Sequence, residues 1–283
     1  MKVCVTGAGG MVGRAMVEWC TGQGDEVAAH THQSLDIADA GAVNAALQGM
    51  RPDVLINCAA WTDVDGCETD HEGAYAVNAL AVETMAANCR RIGASFVTIS
   101  TDYVFDGSKQ GFYTQRDDPN PLSVYGDAKL EGERRAQAAS ARTIVVRTGW
   151  IFGAGGRNFL SRVIELAERG ERLQAISDAY GTPTYAPDLA MRLRELAVCD
   201  VPGVYHVTNS GAGASYEEFA RAALAASGRE TVVIESVSLR DLRRPAPRPQ
   251  NSRLKCLVSE AMNLAPLPDW RNALKDFALR IHQ

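Results

Sequence analysis

A glycine-rich turn near the N-terminus lies between a buried-strand pattern and a helix pattern. Val3–Thr6 is a short, mostly apolar run, and the residues after Gly13 repeat apolar side chains at helical spacing. Gly7, Gly10 and Gly13 follow the strand. Such a turn lets the backbone approach a pyrophosphate, while the N-terminus of the next helix supplies N–H donors and positive potential. The feature predicts an α/β sheet that binds a dinucleotide at its first loop.

Strand and helix patterns alternate through the rest of the chain. Strands are predicted at 2–6, 26–30, 52–57, 95–100, 143–147, 173–177 and 204–207. Helices are predicted at 13–23, 40–48, 74–92, 124–138, 158–169, 187–198 and 215–227, and the proline-rich tail is predicted to be loop-rich. Continuous apolar strands separated by helices indicate a parallel sheet covered on both faces. We expect a Rossmann-like, doubly wound α/β fold with a dinucleotide-binding domain at 1–150, which the chain re-enters near 182–207, and a smaller C-terminal substrate-binding lobe at 151–283.

Composition excludes several classes of function. The formal net charge is −5, which argues against a nucleic-acid partner. No apolar run approaches the length of a membrane span. The seven cysteines are scattered, without a Cys-x-x-Cys pair, and the chain opens directly on a strand pattern rather than a signal peptide. We therefore expect a cytoplasmic protein with reduced thiols and no membrane partner.

Tyr125 and Lys129 are the strongest catalytic candidates. They lie four residues apart on a predicted helix, so their side chains share one face. A neighbouring ammonium can draw the pKa of a phenol toward neutrality, which makes a tuned proton donor. Thr101 ends the fourth strand and can polarise the same carbonyl. Surface packing of an aromatic and a lysine stem is the alternative, but the glycine loop and Thr101 favour hydride transfer between a nicotinamide and a carbonyl.

Two further segments are candidates for cofactor contact. Small residues follow the third strand at Ala59, Ala60 and Thr62, where a cofactor can lie close to the sheet edge. Tight helix–strand packing explains the same residues. Asp36 and Ile37 follow the second strand, and the carboxylate can either accept from an adenine amine or cap a helix that begins near residue 38. Both interpretations stay open.

The end of the second strand bears on cofactor choice. NAD specificity usually comes from a carboxylate there, but the segment reads Ala-Ala-His30-Thr31-His32. These three polar side chains can donate to a 2′-phosphate, and Arg14 lies close in sequence to the glycine turn. Solvated surface side chains are the alternative. We predict that NADPH is preferred and that NADH is still used.

Over nearly its whole length the sequence resembles the dTDP-4-dehydrorhamnose reductase family of the extended short-chain dehydrogenase/reductases. The resemblance is carried by residues 6–13, 57–62, 64–65, 100–107, 124–133, 147–150, 158–159, 181–184 and 248–254, with Val-Tyr-Gly-x-x-Lys-Leu-x-Gly-Glu at 124–133. It implies NADPH-dependent reduction of the C4 ketone of dTDP-4-dehydro-6-deoxy-L-mannose to dTDP-L-rhamnose.

The resemblance also implies residue roles. Tyr125 is then the proton donor, Lys129 holds the nicotinamide ribose and lowers the phenol pKa, and Thr101 is the third catalytic residue. The implied cofactor contacts are Gly7, Gly10, Met11, Gly13, Asp36, Ala59, Ala60 and Thr62. The implied substrate contacts are Thr101, Asp102, Tyr103, Trp150 and Asn158.

Neighbouring families are separated by the residues after Thr101. Related 4,6-dehydratases carry Thr-Asp-Glu, in which the glutamate is the base for elimination, whereas this chain has Tyr103 at that position. Related 4-epimerases usually carry Ser-Ser or Ser-Ala, so Asp102 counts against epimerisation. Some members of the resembled family dimerise through magnesium held by carboxylates. The first long helix offers only Glu18, so no metal is predicted and a homodimer is left open.

Two alternative functions stay open from the sequence. The first is 4-ketoreduction of another dTDP-deoxysugar in secondary metabolism. The second is a non-catalytic binding module similar to the regulatory subunit of methionine adenosyltransferase. The joint presence of Thr101, Tyr125 and Lys129 argues against the binding module, because a module of that kind needs no proton donor.

Overall fold

A six-stranded parallel sheet with helices on both faces forms the centre of the molecule in the computed structural model, which describes residues 1–281. The strands are β1 (Lys2–Thr6), β2 (Glu26–His30), β3 (Val54–Asn57), β4 (Ser95–Thr101), β5 (Thr143–Thr148), β6 (Ile151–Phe152), β7 (Leu173–Ile176), β8 (Tyr180–Gly181), β9 (Thr184–Tyr185), β10 (Gly203–His206), β11 (Ala214–Ser215) and β12 (Ile234–Val237). The helices are α1 (Met11–Gly22), α2 (Ala40–Met50), α3 (Val64–Cys67), α4 (His71–Tyr75), α5 (Ala81–Ile92), α6 (Val124–Ala139), α7 (Phe159–Glu168), α8 (Ala186–Cys199), α9 (Tyr216–Ala226), α10 (Val258–Ala261) and α11 (Trp270–Ile281).

The strand order of the large sheet is β10-β5-β4-β3-β1-β2, and every neighbouring pair in it is parallel. The chain first moves outward from β1 to β2 and then returns to the other side of β1 at β3. The order therefore reverses between β1 and β3, where Thr6 pairs with Asn57. Open sheets bind ligands outside the carboxyl ends of the strands at such a point. The predicted doubly wound α/β class is confirmed.

The strands are apolar on both faces because each face is covered. On one side Val3 and Val5 pack with residues of α1 and α8, such as Met16 and Leu193. On the other side Cys4 belongs to a cluster formed with α2 and α5. α8 thus packs against the sheet, and β10 extends the sheet beyond β5. The domain boundary at residue 150 stays a prediction.

The second lobe has an aromatic core. Phe152, Phe219, Trp270 and Phe277 are buried together, with α7, α9 and α11 around them. The prediction of a loop-rich tail was wrong for its last part, because α11 is a helix of 12 residues. The last proline, Pro268, lies two residues before this helix. The buried positions Trp270, Leu274 and Phe277 have helical spacing, which the prediction from proline content overlooked.

Two further properties concern the chain as a whole. No helix within residues 1–281 combines the length and the apolar character that a bilayer crossing needs. All seven cysteines are free thiols, of which Cys4, Cys20, Cys67 and Cys89 are buried. Burial raises the pKa of the Cys4 thiol to about 12, as expected for a small apolar packing residue.

Candidate active site

A cleft of about 640 Å³ lies between the carboxyl end of the sheet and the second lobe. We call one wall the sheet half; it is formed by residues 9–13, 58–60, 62, 64, 99–103, 125 and 129. We call the opposite wall the lobe half; it is formed by residues 148–152, 155–160, 216 and 219. The sheet half combines the glycine turn with the predicted catalytic residues.

The backbone of the glycine turn packs tightly against the loop that follows β3. Gly7 has φ +69°, and a Cβ there would lie 2.6 Å from the Ala59 nitrogen. A Cβ on Gly13 would lie 2.1 Å from the Gly7 carbonyl oxygen. The N-cap of α1 is Gly10, which offers no capping side chain. The first N–H groups of α1 therefore face the cleft without a side-chain partner, which suits the pyrophosphate of a dinucleotide.

α6 carries Tyr125 and Lys129 into the cleft on its first two turns. Ser123 caps this helix by accepting a hydrogen bond from the Gly126 N–H at 3.2 Å. The Lys129 ammonium donates to the Ile99 carbonyl oxygen at 2.7 Å. Burial lowers the pKa of Lys129 to about 8. The lysine is thus held against the C-terminal end of β4, and it still carries its proton at neutral pH.

The Tyr125 phenol is desolvated, and burial raises its pKa above the ordinary range. A hydrogen bond with Thr101 acts in the opposite direction. The expectation that Lys129 draws this pKa toward neutrality was therefore wrong for the protein alone, because burial of the phenol raises the pKa and the Lys129 ammonium donates to the Ile99 carbonyl. The consequence is a phenol that keeps its proton at neutral pH, in contact with the Thr101 hydroxyl.

Asp102 forms the floor of the cleft next to Thr101. Its side chain is buried, and the Thr101 hydroxyl donates to its Oδ1 at 3.1 Å. Gly149 makes room for it, since a Cβ there would lie 2.3 Å from the Asp102 carboxyl carbon. Burial raises the pKa of Asp102 to about 6, while hydrogen bonds with Ser252 and Thr101 lower it. Its Oδ2 is buried and has no hydrogen-bond partner of ordinary geometry within the described residues.

Aromatic rings dominate the lobe half. Trp150 has φ +50°, an unusual conformation for a bulky residue, and stacks on Tyr216 with ring centroids 3.8 Å apart. The Phe159 ring meets Tyr216 edge-on at 5.0 Å. One face of Trp150 is thus covered by protein. Tyr216 and Phe219 were missed from the sequence, where the only signal is a pair of aromatics in the first turns of a helix capped by Ser215.

The cleft collects most of the predicted site residues. Those that line it are Gly10, Met11, Gly13, Ala59, Ala60, Thr62, Thr101, Asp102, Tyr103, Tyr125, Lys129, Trp150 and Asn158. Asn158 also caps α7, and its amide donates to the Gly153 carbonyl at 3.0 Å. Gly7, Arg14, His30, Thr31, Asp36 and Ile37 are not part of the lining.

The residues outside the lining take two kinds of position. Arg14 and Thr31 adjoin the glycine turn: Arg14 donates to the Gly9 carbonyl at 2.9 Å, and a Cβ on Gly9 would lie 3.5 Å from the Thr31 methyl. The His30 carbonyl accepts from the Ala8 N–H. Asp36 accepts from the Ala38 N–H at 3.0 Å. The Ile37 side chain is buried in the core between the sheet, α2 and α5.

The α2 helix begins at Ala40 rather than near residue 38. Its N-cap is Asp39, whose side chain accepts from the Ala42 N–H at 2.9 Å. The interpretation of Asp36 as a helix cap was therefore wrong, because a second aspartate three residues later provides the cap. Asp36 instead closes a short turn before the helix.

Known proteins match this chain over nearly its full length. The sequence model of the RmlD substrate binding domain matches residues 1–282. A dTDP-4-dehydrorhamnose reductase from Mycolicibacterium smegmatis is 37% identical over 278 residues, which cover 97% of this chain and 84% of that protein. The chain belongs to the dTDP-4-dehydrorhamnose reductase family.

Two other members of the comparison add detail to the family assignment. The crystal structure of dTDP-4-dehydrorhamnose reductase from Bacillus anthracis in complex with NADP superimposes with a TM-score of 0.95 at 31% identity, covering 99% of both chains. A Streptomyces antibioticus protein named as a probable dTDP-4,6-dihydroxy-2-methyloxan-3-one 4-ketoreductase is 39% identical over 285 residues, 98% of this chain and 94% of that protein.

Tyr103 stands at the position where the related dehydratases carry a glutamate. The Tyr103 ring meets the Tyr125 ring edge-on at 6.1 Å. Burial raises the pKa of Tyr103, so its phenol is neutral and cannot act as a carboxylate base. Within residues 1–281, no group of three or more His, Cys, Asp or Glu side chains has an arrangement suited to a metal ion.

Proposed function

We propose that the protein is an NADPH-dependent dTDP-4-dehydrorhamnose reductase, which reduces the C4 ketone of dTDP-4-dehydro-6-deoxy-L-mannose to dTDP-L-rhamnose. The observation that carries the proposal is the grouping of Thr101, Tyr125 and Lys129 in one cleft, beside an uncapped helix N-terminus, in a chain of this family. NADPH supplies the hydride when it is bound.

Tyr125 is the proton donor in this proposal. Its phenol keeps its proton at neutral pH because burial raises its pKa, and it contacts the Thr101 hydroxyl. A carbonyl oxygen placed between the two groups receives the Tyr125 proton as hydride arrives at C4. The products are a secondary alcohol, oxidised nicotinamide and a tyrosinate that regains a proton from solvent, so charge and atoms balance. Lys129, one helical turn away, holds the nicotinamide ribose in this proposal, as the family resemblance implies.

The remaining predicted contacts complete the proposed site. The first N–H groups of α1, together with Ala59, Ala60 and Thr62, form the cofactor wall. Asp102 lies in the floor of the cleft and is assigned to the sugar. Trp150, Tyr103 and Asn158 form the sugar wall, together with Tyr216. The 2′-phosphate is assigned to Arg14, His30 and Thr31, which adjoin the glycine turn; Asp36 and Ile37 remain candidates on the adenine side.

Turnover of a defined substrate tests the proposal. Purified protein is mixed with NADPH and enzymatically prepared dTDP-4-dehydro-6-deoxy-L-mannose, and the loss of the NADPH absorbance band is followed. NMR of the product establishes the configuration at C4. Formation of dTDP-L-rhamnose supports the proposal, whereas a folded protein that leaves both compounds unchanged contradicts it.

A homodimer and a cytoplasmic location are further proposals, and light scattering of the purified chain tests the first.

A second candidate substrate follows from one comparison. The Streptomyces antibioticus relative, named for 4-ketoreduction of a different dTDP-sugar, is 39% identical to this chain. Its identity is as high as that of the relative named dTDP-4-dehydrorhamnose reductase. A side-by-side measurement of kcat/KM on both ketosugars decides between them. The binding-module alternative is disfavoured by the complete catalytic grouping.

A further inference from the structure

A buried ion pair lies directly behind the catalytic face of α6. Glu133 on α6 and Arg147 on β5 are joined by three hydrogen bonds: Arg147 Nη2 donates to Oε2 at 2.7 Å, and Nε donates to Oε1 at 3.0 Å and to Oε2 at 3.2 Å. Their side chains are only 3% and 7% exposed. The guanidinium also lies over the Phe105 ring, 5.3 Å from its centroid. A buried pair of this kind is seldom a net source of stability, so another role is needed to explain it.

The pair is bonded to Ser100, the residue that precedes Thr101. The Ser100 hydroxyl donates to Glu133. One turn earlier on the same helix face, the Lys129 ammonium donates to the Ile99 carbonyl at 2.7 Å. Side chains from two successive turns of α6 therefore form hydrogen bonds with Ile99 and Ser100, two successive residues near the end of β4. Arg147 pairs with Ser100 across the neighbouring strand, so β5 supports the same point.

We propose that the Glu133–Arg147 ion pair is a positioning element of the reaction, which holds Lys129 and Thr101 in register beside Tyr125. The proposal rests on the proposed function, since it assumes that these three residues are catalytic. Neither Glu133 nor Arg147 lines the cleft. Both act through the backbone of β4 and through the helix that carries the lysine.

Glu133 also has an electrostatic effect on Lys129. Burial lowers the pKa of this lysine, and the Glu133 carboxylate raises it. The other titratable or charged groups of the cleft are Cys58, Asp102, Tyr103, Tyr125, Arg157 and Tyr216 in its walls, with Arg147 of β5 behind them. Removal of the Glu133 charge leaves Arg147 as an unpaired cation nearby. Lys129 then loses its proton at a lower pH.

Two variants and one control test the inference. Glu133→Gln removes the charge of the pair, and the double variant Glu133→Gln/Arg147→Met removes both charges, so that no buried ion is left alone. Glu131→Gln is the matched control, because Glu131 lies on the outer side of the same helix and pairs with Arg135 near the surface. Thermal unfolding of each variant reports the folded fraction.

In Glu133→Gln we expect kcat to fall roughly tenfold to a hundredfold, because small displacements of reacting groups have effects of this size, with a smaller change in the KM for NADPH. The alkaline limb of the kcat profile should move to lower pH by about one unit. The double variant should fold as the wild type does, regain the position of that limb in part, and keep a reduced kcat. Glu131→Gln should match the wild type.

Wild-type kcat and pH profile in a folded Glu133→Gln or double variant would overturn the inference, as would an equal loss in the control. A substrate-independent readout separates this result from failure of the proposed function. Lys129 is titrated by NMR of 13C-labelled lysine, with Lys2, Lys109, Lys255 and Lys275 as internal references. If the wild type lacks turnover, an unchanged Lys129 titration in Glu133→Gln still contradicts the positioning role, and a lowered one supports it.

Discussion

In the sheet half of the cleft, reacting side chains come from two turns of one helix and from the end of one strand, and each is fixed by hydrogen bonds. In the lobe half, the wall is made by aromatic rings from distant parts of the chain. Lys129 is held by the Ile99 carbonyl, whereas Trp150 is held by its stack on Tyr216. The hydrogen bonds of the sheet half fix the positions of individual atoms, whereas the stacked rings of the lobe half fix the shape of the cleft wall.

This difference matches the two tasks of a reductase. Proton and hydride transfer need reacting atoms at defined distances, so the sheet half belongs on rigid elements. Sugar recognition tolerates adjustment, and stacked rings provide apolar surface without a strict geometry. We therefore expect changes in the sheet half to lower kcat and changes in the lobe half to raise the KM of the sugar.

Tyr125→Phe should produce the largest effect on this contrast. The ring still packs against Tyr103, but the proton donor is lost, and kcat should fall roughly a hundredfold to ten-thousandfold. NADPH affinity, measured by fluorescence titration, should stay close to the wild-type value. Tyr75→Phe is the control, because the Tyr75 hydroxyl bonds to Asp127 outside the cleft. More than half of the wild-type rate in Tyr125→Phe would exclude this residue as the donor.

The sheet half was largely predictable because its residues stand in contiguous motifs. Gly10 comes just before α1, and Thr101 ends β4. Tyr125 and Lys129 lie in the first two turns of α6, and parallel strands bring their carboxyl ends together. The direction of the Tyr125 pKa was not predictable in the same way. It depends first on how deeply the phenol is buried, and that depth follows from packing between distant segments, which carries no local sequence signal.

The lobe half could not be predicted to the same degree. Trp150 was a candidate from the resemblance, but its partner Tyr216 lies at the start of α9, far along the chain. Nothing in a helix pattern tells which aromatic ring reaches across to another lobe. The terminal helix α11, which supplies Trp270 to the core below these rings, was hidden by neighbouring prolines.

Asp102 lies where the two halves meet, and its effect should appear in stability. Its pKa is near 3.8 when unfolded and about 6 in the folded protein, so the native state binds the extra proton between these values. The free energy of unfolding therefore falls as pH rises through that window, by about 3 kcal/mol for a fully buried group. Asp102→Asn removes this loss, so the variant should gain stability relative to the wild type from pH 4 to pH 6.

Urea unfolding at several pH values measures this difference. Asp106→Asn provides a contrast of opposite sign, because hydrogen bonds with Ser108 and Asn120 hold the pKa of Asp106 well below its usual range. Asp106 stabilises the protein above its unfolded pKa, and that contribution is lost as pH falls. A pH-independent difference between Asp102→Asn and the wild type would show that Asp102 is solvated, and so that the two halves do not close around it.

Trp150→Ala should affect the lobe half alone. Loss of the indole removes its stack on Tyr216 and opens the sugar wall, so the KM of the ketosugar should rise about tenfold. The dissociation constant of NADPH should change little. Trp150→Phe is the control, because a phenyl ring can still stack on Tyr216. A fall in cofactor affinity without a change in the sugar KM would show that Trp150 contacts the cofactor, and it would contradict the division of tasks between the sheet half and the lobe half.

The smallest expected effect concerns the cofactor at the outer edge of the sheet half. The end of β2 has no carboxylate to repel a 2′-phosphate, and Thr31 and Arg14 adjoin the glycine turn. NADPH should therefore be preferred over NADH, and Arg14→Ala should reduce the ratio of the two kcat/KM values about fivefold, as an exposed ionic contact allows. Arg134→Ala, an exposed change on α6, should leave the ratio unchanged. A preference for NADH in the wild type would mean that Asp36 reaches the ribose instead, and the outer edge would then select the cofactor by a carboxylate.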